Sequence, residues 1–166
     1  VLNDFVGGNK KELSGRSGDL IGMITFARYA DTLCPLVLSH NVLLEFLKKT
    51  EIVTLQSEDG TAIGDAIALA AARLKNAEEE IRQRHKQLGL TKGNILGEEQ
   101  AGSFTIKSKI MILLTDGRNN MGQYDPLEAA ELAKQWGIKI YTIGIGSNQA
   151  YTTIQTFMGA FKVPTQ

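Results

Sequence analysis

From Ile110 to Thr115 the chain runs through six consecutive apolar or β-branched residues with no polar residue alternating among them. That pattern predicts a strand buried on both faces, as in a parallel sheet flanked by helices. The run stops at Asp116-Gly117. A carboxylate followed by glycine at the carboxyl end of a buried parallel strand stands where open α/β sheets place their ligands. Asp116 is therefore the first candidate site residue. The competing reading is a turn aspartate that closes the loop on its own backbone, and this stretch alone does not separate the two.

The rest of the chain supplies the partners such a strand needs. Val1–Val6 reads as the tail of a helix ended by Gly7-Gly8, which implies that something precedes Val1. Asn9–Asp19 reads as a loop. Leu20–Ala27 is a second near-continuous apolar run and a predicted buried strand. A further strand is expected around Thr32–Cys34, at an edge because Pro35 has no amide hydrogen to give to a ladder. Ser39 offers an N-cap, and Val42, Leu43, Phe46 and Leu47 form a helical stripe. After the loop Glu51–Gly60 a helix is expected to open at Thr61, with Ile63, Ala66, Ile67, Ala70 and Leu74 on one face.

That helix is expected to continue through Asn76–Leu88 on a charged surface, with Glu78–Arg82 and Glu80–Arg84 at i,i+4 spacing. His85 reads as solvated there. Gly89–Ser108 reads as an exposed insertion. Asp125-Pro126-Leu127-Glu128 is a helix start, with cap, N1 proline and N3 glutamate in order. Leu127, Ala130, Leu132, Ala133 and Trp136 are the expected apolar face, and Gly137 the stop. Ile138–Ile145 is a predicted strand, and Tyr151–Gln166 is weakly patterned. This order of elements predicts an α/β fold with a mostly parallel sheet.

Composition narrows the function. Lys plus Arg equals Asp plus Glu, 18 each, in a chain of 166 residues. A net charge of zero offers no electrostatic reason for a nucleic-acid or anionic-membrane partner. Cys34 is the single cysteine, so no intramolecular disulfide forms. Its apolar neighbours Leu33, Pro35 and Leu36 favour a buried small hydrophobe over a reactive thiol. No run reaches the ~20 apolar residues of a membrane span.

The candidate chemistry lies in two polar loops. Asp59-Gly60-Thr61 precedes a helix and Thr115-Asp116-Gly117 ends a strand, and both are expected on one rim of the sheet. A threonine hydroxyl and a carboxylate are hard oxygen donors suited to Mg²⁺ or Mn²⁺. Two donors bind weakly, so a third loop is needed. No nucleophile elbow, Cys-His pairing or Walker A pattern is present. Gly144-Ile145-Gly146 lacks the third glycine of a dinucleotide loop.

Taken together, LIGMITFA, DGTAIGDAIALAAARL, KIMILLTDGRNN and DPLEAAELAKQWGIKIYTIGIG resemble the von Willebrand factor A domain. The Cys34-Pro35-Leu36 segment and the DPLEAAELAK helix look most like the bacterial aerotolerance (Bat) proteins. The resemblance implies a Rossmann-like three-layer fold with helices on both faces of the sheet. It implies that 1–166 is a single, incomplete domain of this type, with 77–108 as helical extension and insertion. The family's TxxGxA motif corresponds to Thr61–Ala66 and implies Thr61 as a metal-site residue, direct or through water. The family's TDG implies Asp116 as the second, through water. The implied function is a non-enzymatic interaction module. A metal-ion-dependent adhesion site would hold Mg²⁺, or Mn²⁺, and a protein partner's Asp or Glu would complete the coordination. The implied setting is bacterial and membrane-anchored through flanking segments.

One departure qualifies this. The family's Asp-x-Ser-x-Ser motif, at the end of the central first strand, has no match here. Three metal-contacting side chains and the middle strand are thereby missing, and unpaired strand edges cost about 1–3 kcal/mol per unsatisfied group. The chain is thus expected to be a fragment, which a sharp cooperative unfolding transition would contradict. Two rivals remain: a Mg²⁺-dependent phosphoryl-transfer enzyme with Arg118 as its basic group, and a scaffold of this family with no working metal site.

Overall fold

The structure is a computed structural model that describes residues 6, 8, 15–16, 18–51, 55, 57–87, 106–145, 150–156 and 159–165. Residues 85–86 and the last two strands are described by their backbone alone. The expected insertion at 89–108 lies outside the described residues except at its end, as does the helix tail before Val6 and the side chain of His85.

Strand β1 (Ile21–Phe26) turns back into β2 (Ala30–Val37), antiparallel. β2 extends beyond the expected core of Thr32–Cys34. The register shifts between Ile21 and Met23, opposite Pro35, where an irregularity absorbs the missing amide hydrogen. Among the described residues β2 pairs only with β1, the edge position expected for a proline-bearing strand. Helix α1 (His40–Lys48) follows. Ser39 stands at its N-cap, but the hydroxyl makes no capping bond.

Helix α2 (Ile63–Gln87) is 25 residues long and opens two residues later than its sequence predicts. β3 (Lys109–Thr115), helix α3 (Pro126–Gln135) and β4 (Ile138–Gly144) form a βαβ unit. The two strands run parallel in unbroken register from Lys109–Ile138 to Thr115–Gly144. Asp125 caps α3 as expected, its carboxylate accepting from the amides of Leu127 at 2.8 Å and Glu128 at 3.4 Å. β5 (Ala150–Thr156) and β6 (Gly159–Thr165) form an antiparallel hairpin that the weak patterning of this segment does not announce.

Two clusters make the core among the described residues. Ile67, Ala71, Met111, Leu113, Ala129, Ala133 and Ile138 join α2 and α3 to one face of the sheet, with Phe26 of β1 packed against them. Val6, Cys34 and Leu43 form the other, with Ile21, Met23 and Val37. Phe26 and Met23 belong to different clusters, so β1 carries helices on both its faces: a three-layer α/β arrangement.

Three expectations are corrected. β3 is buried on one face only: Met111 and Leu113 are covered, whereas Ile110, Ile112 and Leu114 are about half exposed (48%, 51% and 53%). Tyr141, Ile143 and Ile145 lie exposed alongside them. The reason is that α2 and α3 both pack on the Met111–Leu113 side. Next, Leu127 is 76% exposed. The buried face of α3 is Ala129 and Ala133, one turn apart, and Leu127 in the first turn points away from it. Finally, Glu78 pairs with Lys109 rather than with Arg82, tying α2 to the start of β3.

Among the described residues β1 and β3 are not hydrogen-bonded to each other, although α2 packs on both.

Candidate functional site

The carboxyl end of β3 and the start of α2 meet at one rim. Gly117, directly after Asp116, lies against Thr61: a Cβ placed on Gly117 would stand 2.8 Å from Thr61 Oγ1. A side chain at position 117 would press on the threonine hydroxyl, so the glycine leaves room for it beside Asp116. The structure thus brings together the two residues singled out in the sequence. Asp116 is exposed and Thr61 half-buried. No hydrogen bond or ion pair engages the Thr61 hydroxyl or the Asp116 carboxylate among the described residues.

The loop that carries Asp116 is fastened at both ends. At its start the Gly117 amide donates to Thr115 Oγ1 at 3.3 Å, and the Ile145 amide donates to the Thr115 carbonyl at 2.8 Å. Farther on, Asn119 and Asn120 reach across to α2. The Asn120 side-chain oxygen accepts from the Thr61 amide at 2.8 Å, and the Asn120 amide donates back to the Thr61 carbonyl at 3.1 Å. The Asn119 side-chain oxygen accepts from the amides of Ile63 at 2.8 Å and Gly64 at 3.4 Å. Those amides belong to the first turn of a helix, where no intrahelical acceptor exists. Asn119 therefore caps α2 from 56 residues away. Asp65 answers in the other direction, accepting from the amides of Gln123 at 2.8 Å and Tyr124 at 2.9 Å.

A third loop, the β1–β2 turn, closes the same rim. The Ala62 amide donates to the Ala27 carbonyl at 2.8 Å and the Arg28 amide to the Glu58 carbonyl at 3.2 Å. The Arg28 guanidinium also donates to the Ser57 carbonyl at 3.3 Å. Arg118, the basic group of the enzymatic rival, is exposed on the Asp116 loop.

The donors present are chemically right for a hard divalent cation, being a hydroxyl and a carboxylate with open solvent before them. They are also few. No group of three or more His, Cys, Asp or Glu side chains that could hold a metal occurs among the described residues. Asn119, Asn120 and Asp65 were not candidates from sequence. Asparagine is a strong capping residue, but a cap normally precedes its helix, so nothing local pointed from Asn119 to Ile63.

Residues 1–162 match the family description von Willebrand factor type A domain. The chain belongs to that family. An uncharacterized protein from Borreliella burgdorferi is 27% identical over 142 residues, which cover 84% of this chain and 33% of that protein. Among solved structures, the conserved hypothetical protein BatB from Bacteroides thetaiotaomicron superposes with a TM-score of 0.52 at 24% identity, covering 90% of this chain and 62% of that one. Proximal thread matrix protein 1 from the mussel byssus superposes at 0.51 with 20% identity, over 87% of this chain and 31% of its own. Both solved structures share the fold of this von Willebrand A domain. The chain spans about a third of its Borreliella relative and less than two thirds of BatB. No helix among the described residues is long and apolar enough to cross a membrane.

Proposed function

We propose that this von Willebrand A domain is a protein-protein interaction module whose contact is made through a divalent cation at the Thr61–Asp116 rim. The observation that carries the reading is the seat of the Thr61 hydroxyl on Gly117, beside an unengaged Asp116 carboxylate. Thr61 and Asp116 would hold the ion, Mg²⁺ or Mn²⁺, with water in its remaining positions. The ion supplies a Lewis-acidic contact for a carboxylate from an Asp or Glu of the partner protein. The chain's zero net charge suits recognition through a bound ion rather than electrostatic docking. The Bat-type likeness supports a bacterial protein anchored to the membrane by flanking segments.

The test is Mn²⁺ binding, followed by electron paramagnetic resonance, in the protein expressed at its full natural length. Asp116→Ala and Thr61→Ala are expected to weaken Mn²⁺ by at least about tenfold each, the scale of a lost charge-assisted contact. Equal binding by wild type and both variants would remove the site from this rim. No binding by any of them would leave a scaffold that acts by surface contact alone. Turnover of a generic phosphate ester, lost in Asp116→Ala, would favour the enzymatic rival.

A further inference from the structure

The two asparagines of the Asp116 loop do more than close a turn. Thr61 sits just before α2, where backbone amides have no helical acceptor. Three of these amides, those of Thr61, Ile63 and Gly64, are satisfied by the side chains of Asn119 and Asn120. The return bond from the Asn120 amide to the Thr61 carbonyl holds Thr61 on both sides of its own peptide plane positions. Asp65 then fastens the far end of the loop at Gln123 and Tyr124. Every one of these contacts uses backbone of one loop and side chain or backbone of the other. None uses the Thr61 hydroxyl or the Asp116 carboxylate.

From this division of labour we infer that Asn119 and Asn120 are positioning residues. Asn120 locks the main chain of Thr61, and Asn119 the first turn of α2 that follows it, to the loop of Asp116, so that the backbone carrying the two proposed ligands is set before an ion arrives. The significance for binding rests on the metal reading above, whereas the clamp itself does not. A rim held in this way loses less backbone freedom on binding, which is the general route by which preorganisation raises affinity. Asn120 is the decisive member, because it alone bonds Thr61 in both directions.

The experiment uses the protein at its full natural length and two readouts: amide hydrogen exchange at Thr61 without metal, and Mn²⁺ affinity. Asn120→Leu keeps the volume and removes the acceptor. It is expected to speed exchange at Thr61 and to weaken Mn²⁺, each by about tenfold, the scale of one lost hydrogen bond. Asn120→Asp keeps the acceptor and is expected to retain protection of the Thr61 amide. Asp125→Ala, which uncaps α3 outside the rim, is expected to lower the Tm without changing either readout. Wild-type protection of Thr61 in Asn120→Leu would overturn the clamp. Lost protection with unchanged Mn²⁺ affinity would overturn its positioning role. Should wild type itself bind no Mn²⁺, the metal reading fails, and exchange at Thr61 still decides the clamp.

Discussion

Gly64 and Tyr124 meet main chain to main chain: a Cβ on Gly64 would overlap the Tyr124 carbonyl oxygen. The first turn of α2 thus lies directly on the segment that leads into α3, and the glycine of the TxxGxA motif is required by that approach. Gly64→Ala is expected to destabilise the domain by about 1–3 kcal/mol, since the clash is with backbone that has no rotamer to yield. Thermal unfolding of the variant against wild type measures it.

The remote cap on α2 and the local cap on α3 can be compared directly. Asn119→Ala leaves the Ile63 and Gly64 amides without their acceptor. Asp125→Ala does the same for Leu127 and Glu128. Each is expected to cost about 1 kcal/mol by equilibrium denaturation. They should differ in reach. Only Asn119→Ala should also raise amide exchange in the loop after Asp116, because that cap joins two segments.

Burial pushes the Cys34 thiol above its ordinary pKa of 9.0. The folded state therefore favours the neutral thiol over the thiolate. The stabilisation this implies is fully present below pH about 9 and is lost as pH rises through the higher folded-state value. Stability measured from pH 8 to 11 should decline more steeply in wild type than in Cys34→Ala. Alkylation of Cys34 should also be slow until the protein unfolds.

Leu113 and Leu127 test the corrected burial pattern. Leu113 is 7% exposed in the main core and Leu127 is 76% exposed. Leu113→Ala is expected to cost about 2–5 kcal/mol, and Leu127→Ala to stay within about 0.5 kcal/mol of wild type. Urea denaturation of the two variants separates them.

Elements with a strong local signal were legible. The apolar runs at Leu20–Ala27 and Ile110–Thr115 are strands, and Asp125-Pro126-Leu127-Glu128 starts a helix with the expected cap. Alternation at Ile138–Ile145 also emerges, with Ile138 buried and Tyr141 and Ile143 exposed. The expected rim was legible too, since Thr61 and Asp116 follow from loop chemistry at a helix start and a strand end. The two-sided burial of β3 was not. Apolar character on both faces of a strand states what each face tolerates, while the positions of α2 and α3 decide which face is covered.

By itself, then, the sequence determined the order of strands and helices from β1 to β4, the family, and the two polar residues, Thr61 and Asp116, that meet at the rim, because each rests on residues adjacent or periodic along the chain. The tertiary structure alone decided how those donors are held. Asn120 bonds Thr61 from 59 residues away and Asp65 bonds Gln123 from 58. Such pairings have no local signature, for a hydrogen bond depends on where two loops arrive in space and not on their separation in sequence.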